Sequence, residues 1–280
     1  MELIKTVDGF LNWRKNQSAS LGFIPTLGAL HKGHLSLVRT SKKRCNLTVV
    51  SIFLNPTQFA PDEDLNSYPN TLKEDIKHLK TLNIDVLFLP TEDEMYQRTD
   101  DVNVPVTKLF NKLEGASRPH FFYGVTTIVA KLFNIIHPTH AFFGEKDAQQ
   151  LYIIKQMIAQ MNYQIILVSC PTIRDQNGLA LSSRNQYLTA EEQFKASVVH
   201  KGLMHIKDAL DRGQKNPIIL KQAFEIILHQ TPEIQIDYIS IACTKTLEEI
   251  TGIVEGAVLV STAVFFKAVR LIDNFTYSSL

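Results

Sequence analysis

Residues 22–34 read GFIPTLGALHKGH, in which an apolar strand runs into a glycine-containing turn and then into the start of a helix. His31 and His34 are three residues apart, so both side chains can lie on one face of that helix start. Unpaired backbone N–H groups and the helix dipole favour an anion there, and two imidazoles add directional donors. The stretch therefore predicts a phosphate site suited to ATP.

The two histidines also allow simpler interpretations. In isolation they are as readily helix caps or surface residues, and a pair of zinc ligands is a third alternative. No further ligand follows at the spacing of a zinc site. The phosphate interpretation therefore depends on what the other segments supply.

Short β-branched runs alternate with helical patterns around this stretch. The runs are residues 21–25, 47–54, 84–90, 141–143 and 165–168, and the helical patterns are residues 35–43, 72–82, 125–136 and 149–161. Repetition of strand, helix and strand places parallel strands side by side with helices packed on them. We therefore predict an α/β fold with a parallel sheet and helices on both faces.

The last third of the chain has a different pattern. Helical spacing at residues 190–211 and 218–230 is followed by strand-like runs at residues 234–241, 257–266 and 269–272. Helices followed by strands are typical of an α+β unit. We therefore predict a first domain at residues 1–172 and a smaller α+β domain at residues 173–280.

Composition limits the classes of partner and compartment. The 280 residues are 45% hydrophobic, and 29 Lys and Arg balance 28 Asp and Glu. With so little net charge we expect no nucleic-acid partner, although a local basic patch is an alternative. The three cysteines form no CxxC pair, which suits a reducing compartment. No segment has the pattern of a signal peptide or a membrane helix. We therefore expect a cytoplasmic protein.

Polar residues follow two more of the predicted strands. Asn55 and Gln58 lie in SIFLNPTQF, residues 51–59, at the carboxyl end of a buried run, where open α/β sheets bind ligands. Their neutral amides suit hydroxyls and a carboxylate, although Asn-Pro alone is also a common turn. In FFGEKDAQQ, residues 142–150, Lys146 can contact phosphate, Asp147 can accept from ribose, and Gln150 lies one turn later. An ordinary charged loop capped by Asp147 is the alternative.

A fourth segment joins the two predicted domains. It combines PTIRD, residues 171–175, with GLALSSRN, residues 178–185. Two hydroxyls and the Arg184 guanidinium in a loop of small residues can clamp a pyrophosphate. A solvated loop is the simpler alternative.

Together, IPTLGALHKGH, SIFLNPTQF, FFGEKDAQQL and GLALSSRNQYL resemble the pantothenate synthetase family of the HxGH nucleotidyltransferase superfamily. The resemblance covers about residues 22–188, with the four segments in the family's order and spacing. It implies a Rossmann-like first domain, a smaller mobile second domain and a homodimer. It also implies an ATP-dependent, Mg²⁺-assisted ligase that condenses pantoate with β-alanine through a pantoyl-adenylate, releasing AMP and pyrophosphate.

The resemblance also implies roles for individual residues. Expected ATP contacts are Pro25, Thr26, Leu27, Gly28, His31, His34, Gly144, Lys146, Asp147, Ile173, Leu181, Ser182, Ser183 and Arg184. Of these, His34, Lys146 and the mobile phosphate loop Ser182, Ser183 and Arg184 are expected to act in catalysis. Asn55, Gln58 and Gln150 are expected to bind pantoate. Glu74 and Asp75 match an acidic pair that can meet Mg²⁺, although first-turn carboxylates more often complement a helix dipole.

The sequence departs from the family pattern at several positions. Phe121 stands where the family has His, and Tyr123 where Arg is common, so we assign no role to residues 117–124. Other departures are Leu27, Lys32, Leu181 and Asn70, which replace the usual Met, Glu, Met and Arg. Two other functions stay open: an HxGH enzyme that transfers a nucleotide to a phosphate, and a nucleotide-binding regulator without catalysis.

Overall fold

Six parallel strands form the first sheet. In the computed structural model, which describes residues 1–96, 104 and 107–278, they are β1 (Glu2–Ile4), β2 (Leu21–Thr26), β3 (Leu47–Ile52), β4 (Val86–Phe88), β5 (His140–Gly144) and β6 (Ile166–Cys170). The spatial order is β1-β4-β3-β2-β5-β6, and each neighbouring pair is parallel. This is the order of a doubly wound sheet with an additional edge strand.

Helices connect these strands. They are α1 (Val7–Lys15), α2 (Lys32–Arg44), α3 (Leu72–Thr81), α4 (Glu92–Met95), α5 (Glu114–Ser117), α6 (Phe121–Ile136) and α7 (Ala148–Gln160). Short 3-10 helices lie at Pro56–Gln58, Asp64–Ser67, Thr107–Leu109 and Glu145–Asp147. In the part of the chain that the structure describes, no helix has both the length and the apolar character of a membrane span.

Alternating strand residues place the helices on opposite faces of the sheet. Phe23 and Val49 pack in a cluster with residues of α1, α6 and α7. Their neighbours Ile24 and Val50 pack in a second cluster with residues of α2 and α3. Because side chains alternate across a strand, fully apolar strands can bury both faces. The predicted parallel sheet with helices on both faces is confirmed.

The sheet opens between β2 and β5. β2 pairs with β3 along its whole length, from Leu21 to Thr26. It pairs with β5 only at Gly22 and Phe23, although β5 continues to Gly144. Pro25, which has no N–H to give to a ladder, lies beyond the last paired residue. The two strands therefore separate towards their carboxyl ends at the point where the strand order reverses, which is where such sheets bind ligands.

The second compact unit contains residues 111–117, 146–149 and 172–280. Its strands β7 (Ile234–Cys243), β8 (Ala257–Phe266) and β9 (Val269–Ser278) form an antiparallel sheet in sequence order. Its helices are α8 (Ala190–Ala196), α9 (Val198–Asp211) and α10 (Pro217–Leu228), with a 3-10 helix at Ser183–Tyr187. Buried side chains of α9 and α10 pack with β8 in one core. The predicted α+β class of this unit is confirmed.

The structure corrects several predicted element bounds. β1 and α1 have no counterpart in the prediction, and β9 reaches Ser278 rather than residue 272. The helix predicted at residues 190–211 is two helices that break at Ser197. Ser197 is fully buried, and its hydroxyl donates to the carbonyl of Phe194. The assignment of function to domains 1–172 and 173–280 stays a prediction.

Candidate active site

His31 and His34 cap the start of α2 reciprocally. Nδ1 of His31 accepts from the backbone N–H of Gly33 at 3.1 Å, and Nδ1 of His34 accepts from the backbone N–H of His31 at 3.3 Å. The two rings have centroids 4.1 Å apart. Both histidines therefore satisfy helix N–H groups, as the cap interpretation holds, and also lie side by side, as the phosphate interpretation requires.

The caps determine the tautomer of both rings. A neutral imidazole has one N–H and one acceptor nitrogen. Since Nδ1 accepts in both His31 and His34, the proton is on Nε2 in each ring. The capping box thus gives two Nε2–H donors beside the positive end of a helix, an arrangement that suits an anion.

Gly33 is required by the position of the His31 ring. A Cβ at residue 33 would lie 2.7 Å from Cε1 and 2.8 Å from Nδ1 of His31. Such contacts are too short, so a larger residue would displace the ring that caps the helix. The glycine of the HKGH stretch therefore supports the geometry of its first histidine.

Asp75 holds the loop that leads into this helix. Its Oδ2 accepts from the backbone N–H of Ala29 at 2.9 Å, and its Oδ1 accepts from that of Leu30 at 2.8 Å and from the hydroxyl of Thr71 at 3.1 Å. Gly28 and Ala29 both have positive φ, at 92° and 51°. The buried carboxylate thus stabilises a left-handed turn between β2 and α2.

The same observation bears on magnesium. Both oxygens of Asp75 already accept hydrogen bonds from the protein, and its neighbour Glu74 is exposed. Among residues 1–96, 104 and 107–278, no three His, Cys, Asp or Glu side chains form a cluster suited to a metal ion. This donor set does not fit a cage in which protein side chains alone hold Mg²⁺. The metal role of the pair stays a prediction.

Asn55 and Gln58 lie just beyond the carboxyl end of β3. Asn55 is fully buried and Gln58 is 8% exposed. Nδ2 of Asn55 donates to Oε1 of Gln58 at 3.3 Å and to the carbonyl of Gly124 at 3.1 Å. Oδ1 of Asn55 accepts from the hydroxyls of Tyr96 at 2.7 Å and Thr57 at 3.0 Å. The amide of Asn55 is therefore bound to protein partners at both its nitrogen and its oxygen, and its predicted contact with pantoate stays a prediction.

Tyr96 is a hydrogen-bond donor at neutral pH. Burial raises the pKa of its phenol above the ordinary 10.0, although the hydrogen bonds with Thr57 and Asn55 lower the pKa to a smaller extent. The phenol therefore keeps its proton and can donate it to Oδ1 of Asn55.

Arg118, Phe121 and Gly124, in the segment 117–124 whose sequence predicts no role, support the Gln58 turn. Arg118 binds the Glu63 carboxylate with Nε and Nη2, each at 2.5 Å, and Nη2 also donates to the carbonyl of Gln58 at 3.3 Å. The Phe121 ring lies under the guanidinium, 3.9 Å from its central carbon. At Gly124, a Cβ would lie 2.4 Å from the carbonyl of Thr57, so only glycine lets α6 approach this turn.

The other predicted contacts of the first unit lie at or after the carboxyl ends of β2 and β5. Pro25 and Leu27 are partly exposed, and Thr26 donates to the carbonyl of Ser51 at 2.8 Å. A Cβ at Gly144 would meet no atom within 4 Å, so the carboxyl end of β5 borders open space. Because parallel strands end at one edge, His31, Gln58 and Gly144 lie at the same edge of the sheet. Gln150 is half-buried in the first turns of α7.

Lys146 and Asp147 belong to the second unit and contact each other. Nζ of Lys146 lies 3.5 Å from Oδ1 of Asp147. The carbonyl of Lys146 accepts from Nδ2 of Asn274 on β9 at 2.7 Å. The side chain of Lys146 is 19% exposed and that of Asp147 is 46% exposed. The cation is therefore held near its carboxylate and still reaches solvent.

The predicted phosphate loop begins a 3-10 helix. Oγ of Ser182 accepts from the backbone N–H of Arg184 at 3.3 Å, Ser183 is buried, and Arg184 is partly exposed. A backbone hydrogen bond closes the preceding turn: the Leu181 N–H donates to the carbonyl of Ile173 at 2.9 Å. The side chains of Ile173 and Leu181 are both partly exposed.

An ion pair between Arg174 and Asp273 stabilises the turn at residues 174–181. Arg174 binds the buried Asp273 carboxylate with two nitrogens at 2.5 and 2.8 Å, and Nη1 donates to the carbonyl of Gly178 at 3.0 Å. His200 packs against Gly178, where a Cβ would lie 2.3 Å from the imidazole. Burial is the main cause that lowers the pKa of His200 below 6.5, and Arg174 lowers it further, while Asp273 raises it.

Comparison with known proteins extends the resemblance over the whole chain. A sequence profile of pantoate–β-alanine ligase matches residues 2–276. The chain belongs to this family. A pantothenate synthetase from Fervidobacterium nodosum is 43% identical over 277 residues, covering 98% of each chain.

Two solved structures share the fold. Pantothenate synthetase from Thermus thermophilus matches with a TM-score of 0.92 and 37% identity, over 98% of this chain and 99% of the other. Pantoate–β-alanine ligase from Francisella tularensis, complexed with β-γ ATP and β-alanine, matches with a TM-score of 0.79 and 33% identity, over 98% and 97%. As a member of the pantoate–β-alanine ligase family, the chain is an amide-forming ligase that uses ATP.

The structure adds residues that the sequence patterns do not reveal. Tyr96 and Asp75 each bind a site segment about 40 residues or more away in the chain. Arg118 and Phe121 lie in residues 117–124, where the sequence predicts no role. A detectable signal was the glycine at residue 124, because a glycine within an apolar helical run often marks a close backbone approach.

Proposed function

We propose that this chain condenses pantoate with β-alanine in two steps, with pantoyl-adenylate as the intermediate. The observation that carries the proposal is the His31–His34 capping box, which gives two Nε2–H donors at the carboxyl end of β2. It stands beside the opening between β2 and β5, where a nucleotide can place its phosphates against a helix start. Membership of the ligase family supports the same chemistry.

In the first step, a carboxylate oxygen of pantoate attacks the α-phosphorus of ATP. An O–P bond forms, the bond from the α-phosphorus to the bridging oxygen breaks, and pyrophosphate leaves. A carboxylate is already ionised at neutral pH, so this step needs no base. What it needs is charge neutralisation and alignment, and orientation alone can supply about 7–11 kcal/mol of such a barrier.

Cationic and N–H donor groups meet the first requirement. In the first unit, His31 and His34 donate to the triphosphate. In the second unit, Lys146 and Arg184 contact phosphate oxygens, Ser182 and Ser183 offer hydroxyls, and Asp147 accepts from ribose. Removal of one well-placed donor of this kind costs about 2.7–4 kcal/mol of transition-state stabilisation.

Neutral amides meet the second requirement. Gln58 and Gln150 bind pantoate without adding a charge that would compete with the triphosphate.

In the second step, the neutral amine of β-alanine attacks the acyl carbon, the C–N bond forms, and AMP leaves with the carboxylate oxygen that had attacked phosphorus. A proton leaves the nitrogen as the amide forms.

The proposal includes the cation, the assembly and the compartment. ATP would enter as its Mg²⁺ complex, and the cation would supply neutralisation of phosphate charge. The chain works as a homodimer in the cytoplasm. None of its three cysteines forms a disulfide, which suits a reducing compartment.

Exchange of labelled pyrophosphate into ATP tests this function. We expect exchange that requires pantoate and does not require β-alanine, because the first step is reversible on its own. We expect AMP release only when β-alanine is added. Lys146→Ala should reduce exchange by about a hundredfold or more with the fold intact.

Two outcomes would contradict the proposal. Binding of ATP without pantoate-dependent exchange would indicate a nucleotide-binding regulator. Retention of the nucleotide in the product would indicate a transferase that uses a phosphate acceptor.

A further inference from the structure

Asn55 uses every hydrogen-bonding site of its amide within the protein. Its two Nδ2 hydrogens are directed to Oε1 of Gln58 and to the carbonyl of Gly124, at 3.3 and 3.1 Å. Its Oδ1 accepts from Tyr96 and Thr57. A side-chain amide has two donor hydrogens and two acceptor lone pairs, so all four positions are filled.

The carbonyl of Gly124 fixes the direction of this network. A backbone carbonyl can only accept, so the atom of Asn55 that faces it must be the amide nitrogen. The second hydrogen of that nitrogen then points at Gln58, where the facing atom must be an acceptor. Oε1 of Gln58 is therefore turned towards Asn55, and its Nε2 is turned away from it.

The hydroxyls of Tyr96 and Thr57 complete the network from the other side. They lie 3.1 Å apart, and both are within hydrogen-bonding distance of Oδ1 of Asn55. Each hydroxyl has one hydrogen. If one hydroxyl donates to the other, the second still donates to Asn55, so either of them can satisfy the buried oxygen.

We propose that Asn55, together with the hydroxyl pair of Tyr96 and Thr57, is a positioning element that makes Gln58 present N–H donors, and not its carbonyl, to acceptor oxygens of the acyl substrate. This inference rests on the proposed function, in which Gln58 binds pantoate. Asn55 then acts through Gln58 and does not contact the substrate. Selectivity for an anionic acyl group follows, because a carboxylate offers only acceptors.

The hydroxyl pair is tested by the variants Tyr96→Phe, Thr57→Val and the double variant. Either single change should raise the KM for pantoate by no more than about threefold, because one hydroxyl still satisfies Asn55. The double variant leaves Oδ1 of Asn55 buried without a donor and should raise that KM by about tenfold or more. The KM for ATP should stay within about twofold, because the His31–His34 caps are unchanged.

Matched controls remove hydroxyls elsewhere in the first unit. Tyr163→Phe removes a buried phenol oxygen, and Thr126→Val removes a hydroxyl that donates within α6. Both should leave the KM for pantoate within about twofold of the unmodified chain. A double variant at Tyr96 and Thr57 that behaves like these controls, or that raises the KM values of ATP and pantoate equally, would overturn the proposal.

Gln58→Glu tests the direction of the amide in a way that does not depend on the hydroxyl pair. Glu keeps an oxygen for Asn55 to donate to and replaces the outward N–H₂ group with a second oxygen. We expect the KM for pantoate to rise by about a hundredfold at neutral pH. Retained pantoate binding would show that Gln58 presents its carbonyl, and would overturn the proposal even if the double variant failed to fold.

The same assays separate this inference from the proposed function. If the unmodified chain lacks pantoate-dependent pyrophosphate exchange, the proposed function fails. If that exchange is present and the variants leave the KM for pantoate unchanged, only the positioning role fails.

Discussion

The carboxylate of Asp75 lies 2.9 Å from the backbone nitrogen of Ala29, a residue held at a positive φ of 51°. A second oxygen of the same carboxylate accepts from Leu30 at 2.8 Å. The first turn of α3 thus anchors the loop that carries the chain from β2 into the His31–His34 cap. A helix on one face of the sheet thereby determines where the two imidazoles lie.

Asp75→Asn should destabilise the fold and weaken ATP use. The amide offers one acceptor where the carboxylate offers two, and its N–H₂ group would face one of the two backbone donors. Loss of hydrogen bonds to a buried charged group costs about 1.5–3 kcal/mol, measurable as a decrease in the free energy of unfolding in urea. The KM for ATP should rise at the same time.

Asp8→Asn is the control for this change, because Asp8 is an exposed first-turn residue of α1. It should alter the free energy of unfolding by less than about 0.5 kcal/mol. Equal stability of the Asp75 and Asp8 variants would show that Asp75 does not anchor the loop.

Gly33→Ala adds only one methyl group but should strongly impair adenylate formation. The added Cβ would lie 2.7 Å from the His31 ring, so the ring must leave its capping position. We expect a decrease of about tenfold or more in pantoate-dependent pyrophosphate exchange, because the His31 donor moves away from the phosphates. Loss of the cap should also lower the free energy of unfolding by about 1 kcal/mol. At Gly252 a Cβ would meet open space, so Gly252→Ala should leave exchange unchanged. Normal exchange in Gly33→Ala would contradict the proposed role of the His31 ring.

Gln150→Ala should weaken pantoate much more than ATP. Gln150 has a neutral amide in the first turns of α7, and the proposal assigns it to pantoate. Loss of such hydrogen bonds should raise the KM for pantoate by about tenfold, with the KM for ATP changed by less than about twofold. Steady-state titration of each substrate at saturating levels of the others separates the two constants. Equal increases would make Gln150 a structural residue.

His200 should make the second unit sensitive to mild acid. Burial and Arg174 hold its pKa below the ordinary 6.5, against the smaller opposing effect of Asp273. The folded state therefore prefers neutral His200, and this stability is present above pH 6.5 and is lost as the pH falls through the folded pKa. Thermal unfolding at about pH 7.5 and about pH 5 should show a smaller decrease in Tm for His200→Gln than for the unmodified chain. The same decrease in both chains would exclude His200 as the cause.

Local patterns predict the central strands because most of their residues are apolar and buried. Phe23 and Ile24 alternate between two buried faces, and a continuous apolar run is typical of such a strand. β1 is missed because it has three residues, of which only Ile4 is buried. The break at Ser197 is missed because the residue keeps helical dihedral angles, with φ −61° and ψ −13°, so the apolar spacing continues through it.

Contacts between side chains that are far apart in the chain cannot be predicted from sequence spacing. Spacing indicates that His31 and His34 can share a face, because both lie at one helix start. It does not indicate that Asp75 binds the Ala29 N–H or that Tyr96 donates to Asn55, since these contacts depend on how separate elements pack. Phe121 illustrates the same limit, because its value as a platform for Arg118 is visible only in three dimensions.

The fate of the carboxylate oxygens of pantoate tests the central claim most directly. Turnover of pantoate labelled with heavy oxygen in its carboxylate, followed by mass spectrometry of the nucleotide product, reports which bond forms first. Formation of pantoyl-adenylate predicts one labelled oxygen in the phosphate of AMP, because the attacking oxygen leaves with AMP when the amide forms. Unlabelled AMP, or label in inorganic phosphate, would contradict it.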